Sequence, residues 1–144
     1  SMKKNICVLL IVAIAFLKAS NAQLLVGKIE NGNLVLTKDK STLLVAFNNN
    51  LLKASAIDGK FTEVYIQSNS ENNYFLVFKG DKYRSTFLAQ INERYIYIHS
   101  PGTSCTTSEC ASQLNGCIPI LTACSPCKNK GKCTKTVSDF SLLE

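Results

Sequence analysis

The chain of 144 residues has few of the features on which enzyme active sites depend. It contains one histidine, no Gly-x-Ser-x-Gly nucleophile motif and no glycine-rich phosphate-binding loop. The histidine, His99, lies at the end of a predicted strand without a nucleophile motif beside it, which is more typical of a surface residue than of a general base. Glu63, Glu71 and Glu93 stand singly near predicted strands and turns. We therefore predict a protein that is not an enzyme, has no catalytic residues and needs no cofactor.

The chain also lacks an apolar run long enough to cross a membrane. Its longest run covers residues 6–17, and twelve helical residues span only about 18 Å against a hydrocarbon core of roughly 30 Å. Two lysines precede this run and the small residues Ser20 and Ala22 follow it, which is the layout of a secretory signal. We predict a signal peptide at residues 1–22, with Ser1 a cloning remnant, and no membrane span after its cleavage.

The chain that remains after removal of the predicted signal is less basic than the whole composition indicates. The net charge is +6, but three of the sixteen basic residues lie in the predicted signal. Thirteen basic and ten acidic residues remain, a net charge of +3, which removes the main support for a nucleic-acid partner. We predict a secreted, periplasmic or cell-surface protein.

Cysteine is absent from residues 24–100, and Cys7 falls in the predicted signal. An even number of clustered cysteines in an exported chain is typical of a disulfide framework. The cysteine segment has four large apolar residues, Leu114, Ile118, Ile120 and Leu121, too few for a core that offsets the entropy of ordering it. Disulfides would therefore hold it, each contributing roughly 3 kcal/mol, with fifteen pairings open. The six cysteines concerned are Cys105, Cys110, Cys117, Cys124, Cys127 and Cys133.

One Cys-x-x-Cys motif, Cys124-Ser-Pro-Cys127, has functional alternatives. A thiol–disulfide exchange site uses this spacing at a helix start, and Lys128, Lys130 and Lys132 would favour a thiolate nearby. Such a site belongs to a βαβ setting, which the sequence does not show. Structural zinc commonly requires a second knuckle of this kind, which is missing, so we predict no metal. Thiol–disulfide exchange remains the alternative function.

Turn signals and apolar periodicity predict an α+β fold. Asn31-Gly32 is typical of a tight hairpin turn, here joining residues 24–30 to 33–37. A helix follows, capped by Asp39 or Ser41. Four β-prone runs with short links then predict an antiparallel meander. The expected architecture is one helix packed on this sheet at residues 23–100, followed by a disulfide-rich irregular C-terminal tail at 101–144.

The predicted helix carries two apolar stripes. The main stripe, which would face the sheet, comprises Leu43, Leu44, Phe47, Leu51 and Ala54. Val45 and Leu52 form a second stripe. This second stripe either contacts another element or consists of two isolated exposed residues, which are common on protein surfaces.

Alternation along the last two predicted strands divides their residues between two faces. The face toward the helix is predicted to carry Tyr83, Phe87, Ala89, Ile91, Ile96 and Ile98. The opposite face would bring together Tyr65, Arg84, Tyr95, Tyr97 and His99. Aromatic rings flanked by cations bind glycans, peptides or polyanions because the rings give rigid contact area. This face is either a binding surface or is buried by the tail folding over it.

The stretches "YFLVFKG", "CTTSEC" and "CSPCKNKGKCTKT" resemble small exported cysteine-rich proteins of unknown function from Bacteroidota. The resemblance covers most of the chain and implies a location in the cell envelope, without implying an activity. We expect a non-enzymatic binding or interaction protein. Its partner would be an envelope or extracellular protein, a peptide or a glycan.

Overall fold

The computed structural model describes residues 22–140 and Leu143, and it confirms an α+β fold with one helix and many antiparallel strands. The predicted signal peptide lies outside these residues, except for Ala22. The elements in chain order are β1 Ala22–Glu30, β2 Asn33–Leu36, α1 Lys40–Ser55, β3 Glu63–Ser68, β4 Tyr74–Lys79, β5 Arg84–Asn92, β6 Tyr95–Ser100, β7 Gly102–Thr107, β8 Pro119–Ile120, β9 Ala123–Cys124 and β10 Thr134–Ser138.

Eight of the strands form one antiparallel sheet with β5 at its centre. On one side β5 pairs with β4, which pairs with β3. On its other side, residues 89–92 pair with β6 and residues 84–87 pair with β7. The sheet continues outward from β6 through β1 to β2, and from β7 to β10. The strands β8 and β9 form a separate short hairpin.

The sheet curves until its two ends approach each other, which gives it a barrel-like form. The ends meet at Gly27, just after a bulge in β1. A side chain at this position would overlap the side chain of Ile66 in β3 and the carbonyl oxygen of Val35 in β2. Glycine is required here because the neighbouring strands leave no room for a Cβ atom.

Helix α1 lies against the concave side of the sheet. Its N-cap is Asp39, whose carboxylate accepts hydrogen bonds from the Ser41 hydroxyl and the Thr42 backbone N–H. The same hydrogen bonds, from Ser41 first, hold the pKa of Asp39 below its usual value because they favour the charged carboxylate. The cap therefore fixes the start of the helix where the sequence predicts it.

A cluster of phenylalanines forms the centre of the core. Phe47 of α1 is fully buried, and its ring centroid lies between 4.5 and 6.1 Å from those of Phe61, Phe78, Phe87 and Phe140. The predicted inner face is confirmed, since Phe87, Ala89, Ile96 and Ile98 are buried in this core and Tyr83 and Ile91 pack at its margin. Val45 and Leu52 are exposed, at 62% and 49%, so the second stripe of the helix covers no described element.

The cysteine-rich segment contributes more to the fold than an irregular tail would. Strands β7 and β10 belong to the main sheet, and Phe140 is in the same core as Phe47. The predicted division between residues 100 and 101 therefore falls between two strands of one sheet, not between two cores. Only residues 108–133 stand apart from the sheet, and they carry just the β8–β9 hairpin.

No helix in the described ranges is both long enough and apolar enough to span a membrane.

Candidate functional site

Three disulfides cross-link residues 108–133, hereafter the tail loop, and one of the three joins the tail loop to strand β7. The pairs are Cys105–Cys124, Cys110–Cys127 and Cys117–Cys133. The predicted disulfide framework is confirmed. The first cysteine pairs with the fourth, the second with the fifth and the third with the sixth. Each closed loop therefore contains cysteines of the other two pairs, which fixes the tail loop at several points.

The two cysteines of the Cys-x-x-Cys motif bond to different partners. Cys124 is joined to Cys105 in β7, and Cys127 is joined to Cys110. Cys127 is 3% exposed. A disulfide between Cys124 and Cys127, which the exchange mechanism requires, is therefore not the arrangement in this structure.

Alkylation can check this pairing directly. We expect iodoacetamide to label none of the six cysteines in denatured, unreduced protein comprising residues 23–144, and all six after reduction. Peptide mapping by mass spectrometry should recover the three cross-linked pairs given above. Recovery of a peptide with Cys124 bonded to Cys127, or of bound zinc with free thiols, would contradict the pairing.

Arg84 at the start of β5 holds the tail loop by hydrogen bonds. Its side chain is 6% exposed and points to the outer face of the sheet, as the alternation predicts. The guanidinium donates to the carbonyl oxygens of Ala111 and Cys117, at 3.1 and 3.2 Å, and to those of Gln113 and Gly116. One side chain thus satisfies four backbone acceptors of the tail loop.

The charge of Arg84 is balanced by these carbonyl dipoles. The only ion pair within residues 22–140 is Lys28–Glu30, so no carboxylate there accompanies the guanidinium. Burial lowers the pKa of Arg84, and the phenol of Tyr65 acts in the opposite direction. Arg84 and Tyr65 were predicted to contact a ligand. Arg84 is instead covered by the tail loop, so its role here is structural.

A second set of hydrogen bonds anchors the ends of the tail loop. The Thr107 hydroxyl at the end of β7 accepts from the backbone N–H groups of Glu109 and Cys110 and donates to the carbonyl of Lys132 at 2.8 Å. Residues that enter and leave the loop are thereby joined at one hydroxyl. The loop is held on the sheet by side chains as well as by disulfides.

The tail loop covers only part of the outer face and leaves a groove beside it. One section, of about 510 Å³, lies between the β3–β4 turn and the β8–β9 hairpin, with Phe75 and Leu88 among its lining residues. The other, of about 220 Å³, lies between the same hairpin and β6–β7. Both sections share Leu88 and Leu121. We call the two together the outer groove.

The lining of the outer groove combines apolar and amide side chains. Its apolar residues are Phe75, Phe87, Leu88, Ile118, Pro119, Ile120 and Leu121. Asn69, Asn73 and Asn115 line the larger section, together with Glu71 and Lys128, and Gln90 lines the smaller one. An amide side chain both donates and accepts hydrogen bonds. The groove can therefore hold a ligand that has apolar groups and unpaired polar groups.

The remaining predicted binding residues lie along one face of β6, but only His99 reaches the outer groove. His99 is half-buried and lines the smaller section of the groove, whereas Tyr97 on the same face is paired across the strands with Gln90 and Leu25. Tyr95 lies further along β6, with the Arg94 guanidinium 5.2 Å from its ring centroid. Only His99 among the five predicted residues contributes to the groove.

The residues that sequence reasoning missed are those of the β8–β9 hairpin. Ile120 and Leu121, together with Leu114, were counted as too few apolar residues for a sufficient core of the cysteine segment, and all three are strongly exposed. The tail loop has a core of cysteines instead, with Cys105, Cys110, Cys117 and Cys127 buried together. The disulfide cluster forms the core of the tail loop, so Ile120 and Leu121 are not needed to form one. Apolar residues in a segment that disulfides already hold are a signal that could have identified the hairpin.

In the part of the chain that the structure describes, no group of three or more His, Cys, Asp or Glu residues is placed to hold a metal ion. No protein-family model, curated protein or solved structure matches the chain. The outer groove and the tail loop are therefore the features of the molecule that bear on its function.

Proposed function

We propose that the protein is exported and acts in the cell envelope as a non-enzymatic binding protein whose ligand occupies the outer groove. The observation that supports this most directly is the position of the tail loop. The Cys105–Cys124 disulfide and Arg84 fix it over the sheet, and the other two disulfides cross-link it internally, yet a lined groove of about 510 and 220 Å³ remains on either side of its hairpin. Concave, largely preformed sites of this size are typical of ligand binding.

Export is supported by the chemistry of the cysteines. Disulfides form and persist in oxidising compartments and are rare in the cytosol. Three interlaced disulfides that fix a loop of 26 residues, 108–133, would be lost under reducing conditions. The predicted signal at residues 1–22 and the resemblance to small exported proteins point to the same location.

The lining of the groove favours a peptide or a glycan as the ligand. Apolar side chains at its floor would accept aliphatic groups or the apolar faces of sugar rings. The amides of Asn73 and Asn115 would pair with backbone or hydroxyl groups, and Asn69, whose oxygen accepts from the backbone N–H groups of Glu71 and Asn73, could still donate from its NH2 group. No observation within the described residues favours the thiol–disulfide alternative, since the cysteines of the motif are bonded elsewhere.

Ligand screening with groove variants tests the proposal. Residues 23–144 would be screened against a displayed library of random dodecapeptides and an array of soluble glycans. Hits would be mapped by amide shifts in ¹⁵N-labelled protein. We expect the shifts to cluster at Leu88, Thr103 and Leu121. Thr103→Arg should weaken binding at least about tenfold, because the larger side chain fills the smaller section of the groove.

Leu25→Gln provides the control for this experiment. Leu25 is 40% exposed on β1 and does not line either section of the outer groove. We expect its affinity to equal that of the wild type. The proposal is wrong if Thr103→Arg and Leu25→Gln bind equally well, if the shifts cluster on helix α1, or if neither ligand class binds.

A further inference from the structure

The exposed surface of the tail loop combines aliphatic and basic side chains. Leu114, Ile120 and Leu121 are 63%, 58% and 81% exposed. Residues 124–133 contain three lysines, Lys128, Lys130 and Lys132, and no acidic residue, and all three lysines are exposed. We propose that this surface docks on an anionic lipid surface, with Ile120 and Leu121 entering the interface while lysines contact the headgroup phosphates. This inference goes beyond ligand binding in the outer groove.

Leu121 is held at the tip of a rigid hairpin. Ile120 pairs with Ala123, so that only Leu121 and Thr122 connect the two short strands. The base of the hairpin is fixed because Cys124 is bonded to Cys105 in the main sheet. A side chain in this position is presented to the surroundings without the entropy cost of ordering a flexible loop.

The backbone of Leu121 gives an independent reason to assign it a role. Its φ angle is +58°, in the left-handed region where glycine is favoured and a bulky residue is disfavoured. The side chain is 81% exposed, so burial within the described fold does not compensate for this conformation. A strained, exposed leucine at a turn is expected to contribute to a function.

The charge around the hairpin complements an anionic surface. Lys128 lines the same groove section as Ile120 and Leu121. Neither Lys128 nor the other two lysines of the tail loop, Lys130 and Lys132, forms an ion pair with another described residue. Two carboxylates lie nearby, since Glu71 lines that section and Glu109 accepts a hydrogen bond from the backbone N–H of Lys132. The surface remains positive with both included.

A lipid surface fits these features better than a protein partner does. Protein interfaces derive most of their energy from a few buried residues, enriched in Trp, Tyr and Arg, in desolvated pockets. The anchors here are Ile and Leu at a projecting turn, flanked by lysines. Interfacial elements of peripheral membrane proteins have this combination of apolar and basic side chains.

Vesicle sedimentation tests the inference. Oxidised protein comprising residues 23–144 would be centrifuged with vesicles of phosphatidylcholine alone and with vesicles that also contain phosphatidylglycerol, at low and high salt. We expect sedimentation with the anionic vesicles only, decreasing with salt. Leu121→Gly should lower the partition coefficient about tenfold. Lys128→Gln and Lys130→Gln should each lower it up to about fivefold at low salt.

Two variants make these results interpretable. Val45→Ser on helix α1 removes an apolar side chain of similar exposure from a surface that lacks a lysine cluster, so its partition coefficient should not change. Leu121→Gly places the favoured residue at a positive φ, so its melting temperature should stay the same or rise. Weaker vesicle binding by Leu121→Gly therefore cannot be attributed to unfolding.

The inference is overturned if no vesicles bind the protein, or if Leu121→Gly and Val45→Ser bind anionic vesicles equally. The protein could instead bind soluble dextran sulfate but no vesicles, with Leu121→Gly binding the dextran sulfate as well as the wild type does. That result would show that the lysines bind a polyanion and not a lipid surface. Thr103→Arg is expected to retain vesicle binding even where it loses a groove ligand. Failure of the groove proposal and failure of the lipid inference can thus be told apart.

Discussion

A chain that ends at Ser100 is expected to show no cooperative thermal transition and no near-ultraviolet circular dichroism, because the deletion removes β7, a partner of the central strand β5, together with β10. Residues 84–87 of β5 would lose their partner β7, and β10 would be lost with it. The backbone N–H and C=O groups of β5 that face β7 would then lack hydrogen-bond partners, and the tail loop would no longer cover the outer face of the sheet.

The same deletion opens the core. Phe140 is 1% exposed, and its ring centroid lies 5.4 Å from that of Phe87 and 6.1 Å from that of Phe47. Removing one buried phenylalanine typically costs about 3–5 kcal/mol, against a total stability of about 5–15 kcal/mol for a domain. The free energy lost with Phe140 and the two strands should therefore exceed the stability that the remaining residues provide.

Phe140→Ala in the protein of residues 23–144 is the control that separates the two contributions. We expect it to lower the free energy of unfolding by about 3–5 kcal/mol while leaving a single transition, since both strands remain. A truncated chain of residues 23–100 that unfolds cooperatively would instead show that the C-terminal segment is an appendage, as the sequence alone predicts.

The elements that the sequence predicts well are those whose signals are local. Asn31 and Gly32 both have positive φ angles and join β1 to β2, as the turn pair requires. Asp39 caps the helix, and Phe87, Ile96 and Ile98 face it. Each of these depends on residues a few positions apart, so that composition and periodicity are enough to predict them.

Strands β7 and β10 were missed because their buried face is not apolar. Their buried side chains include Ser104, Thr106, Thr136 and Ser138, which apolar periodicity does not register. The hydroxyls of Ser85 and Thr106 are 2.8 Å apart, so part of this buried polar layer is satisfied by hydrogen bonds. Cysteines in the same segment also indicated an irregular structure.

The candidate site was less predictable than the fold because its parts are distant in the sequence. Alternation correctly placed Arg84 on the outer face. Its acceptors lie 27–33 residues later, and their position depends on which of fifteen disulfide pairings forms. No local pattern gives that information. The aromatic face was accordingly predicted as one surface, whereas the tail loop covers one end of it.

Substitution of Arg84 is the point mutation expected to disturb the site most. Arg84→Met removes the donors to four carbonyl groups, two of them on buried residues, Gly116 and Cys117. Hydrogen bonds to a charged group contribute about 1.5–3 kcal/mol, and unpaired buried acceptors add a cost. We expect the free energy of unfolding, measured by urea denaturation, to fall by about 3 kcal/mol.

Arg84→Lys should recover only part of this loss. Lysine keeps the positive charge, but it donates from one nitrogen and cannot span acceptors that two guanidinium nitrogens reach. Arg94→Met is the control, because Arg94 is exposed beside Tyr95 and contacts no part of the tail loop in the structure. We expect no measurable change in the unfolding midpoint of this variant.

Hydrogen exchange distinguishes a local role of Arg84 from a general loss of stability. The three disulfides remain in Arg84→Met, so the tail loop stays attached while residues 111–117 lose their anchor. Under native conditions, the amides of residues 111–117 should exchange faster than in the wild type. The amides of β4 and of the middle of α1 should remain the slowest to exchange, as in the wild type. Uniform acceleration, or a midpoint equal to that of Arg94→Met, would show that Arg84 does not hold the loop. The groove wall would then depend on the disulfides and on the hydrogen bonds of Thr107, and reduction would remove the covalent part of that support.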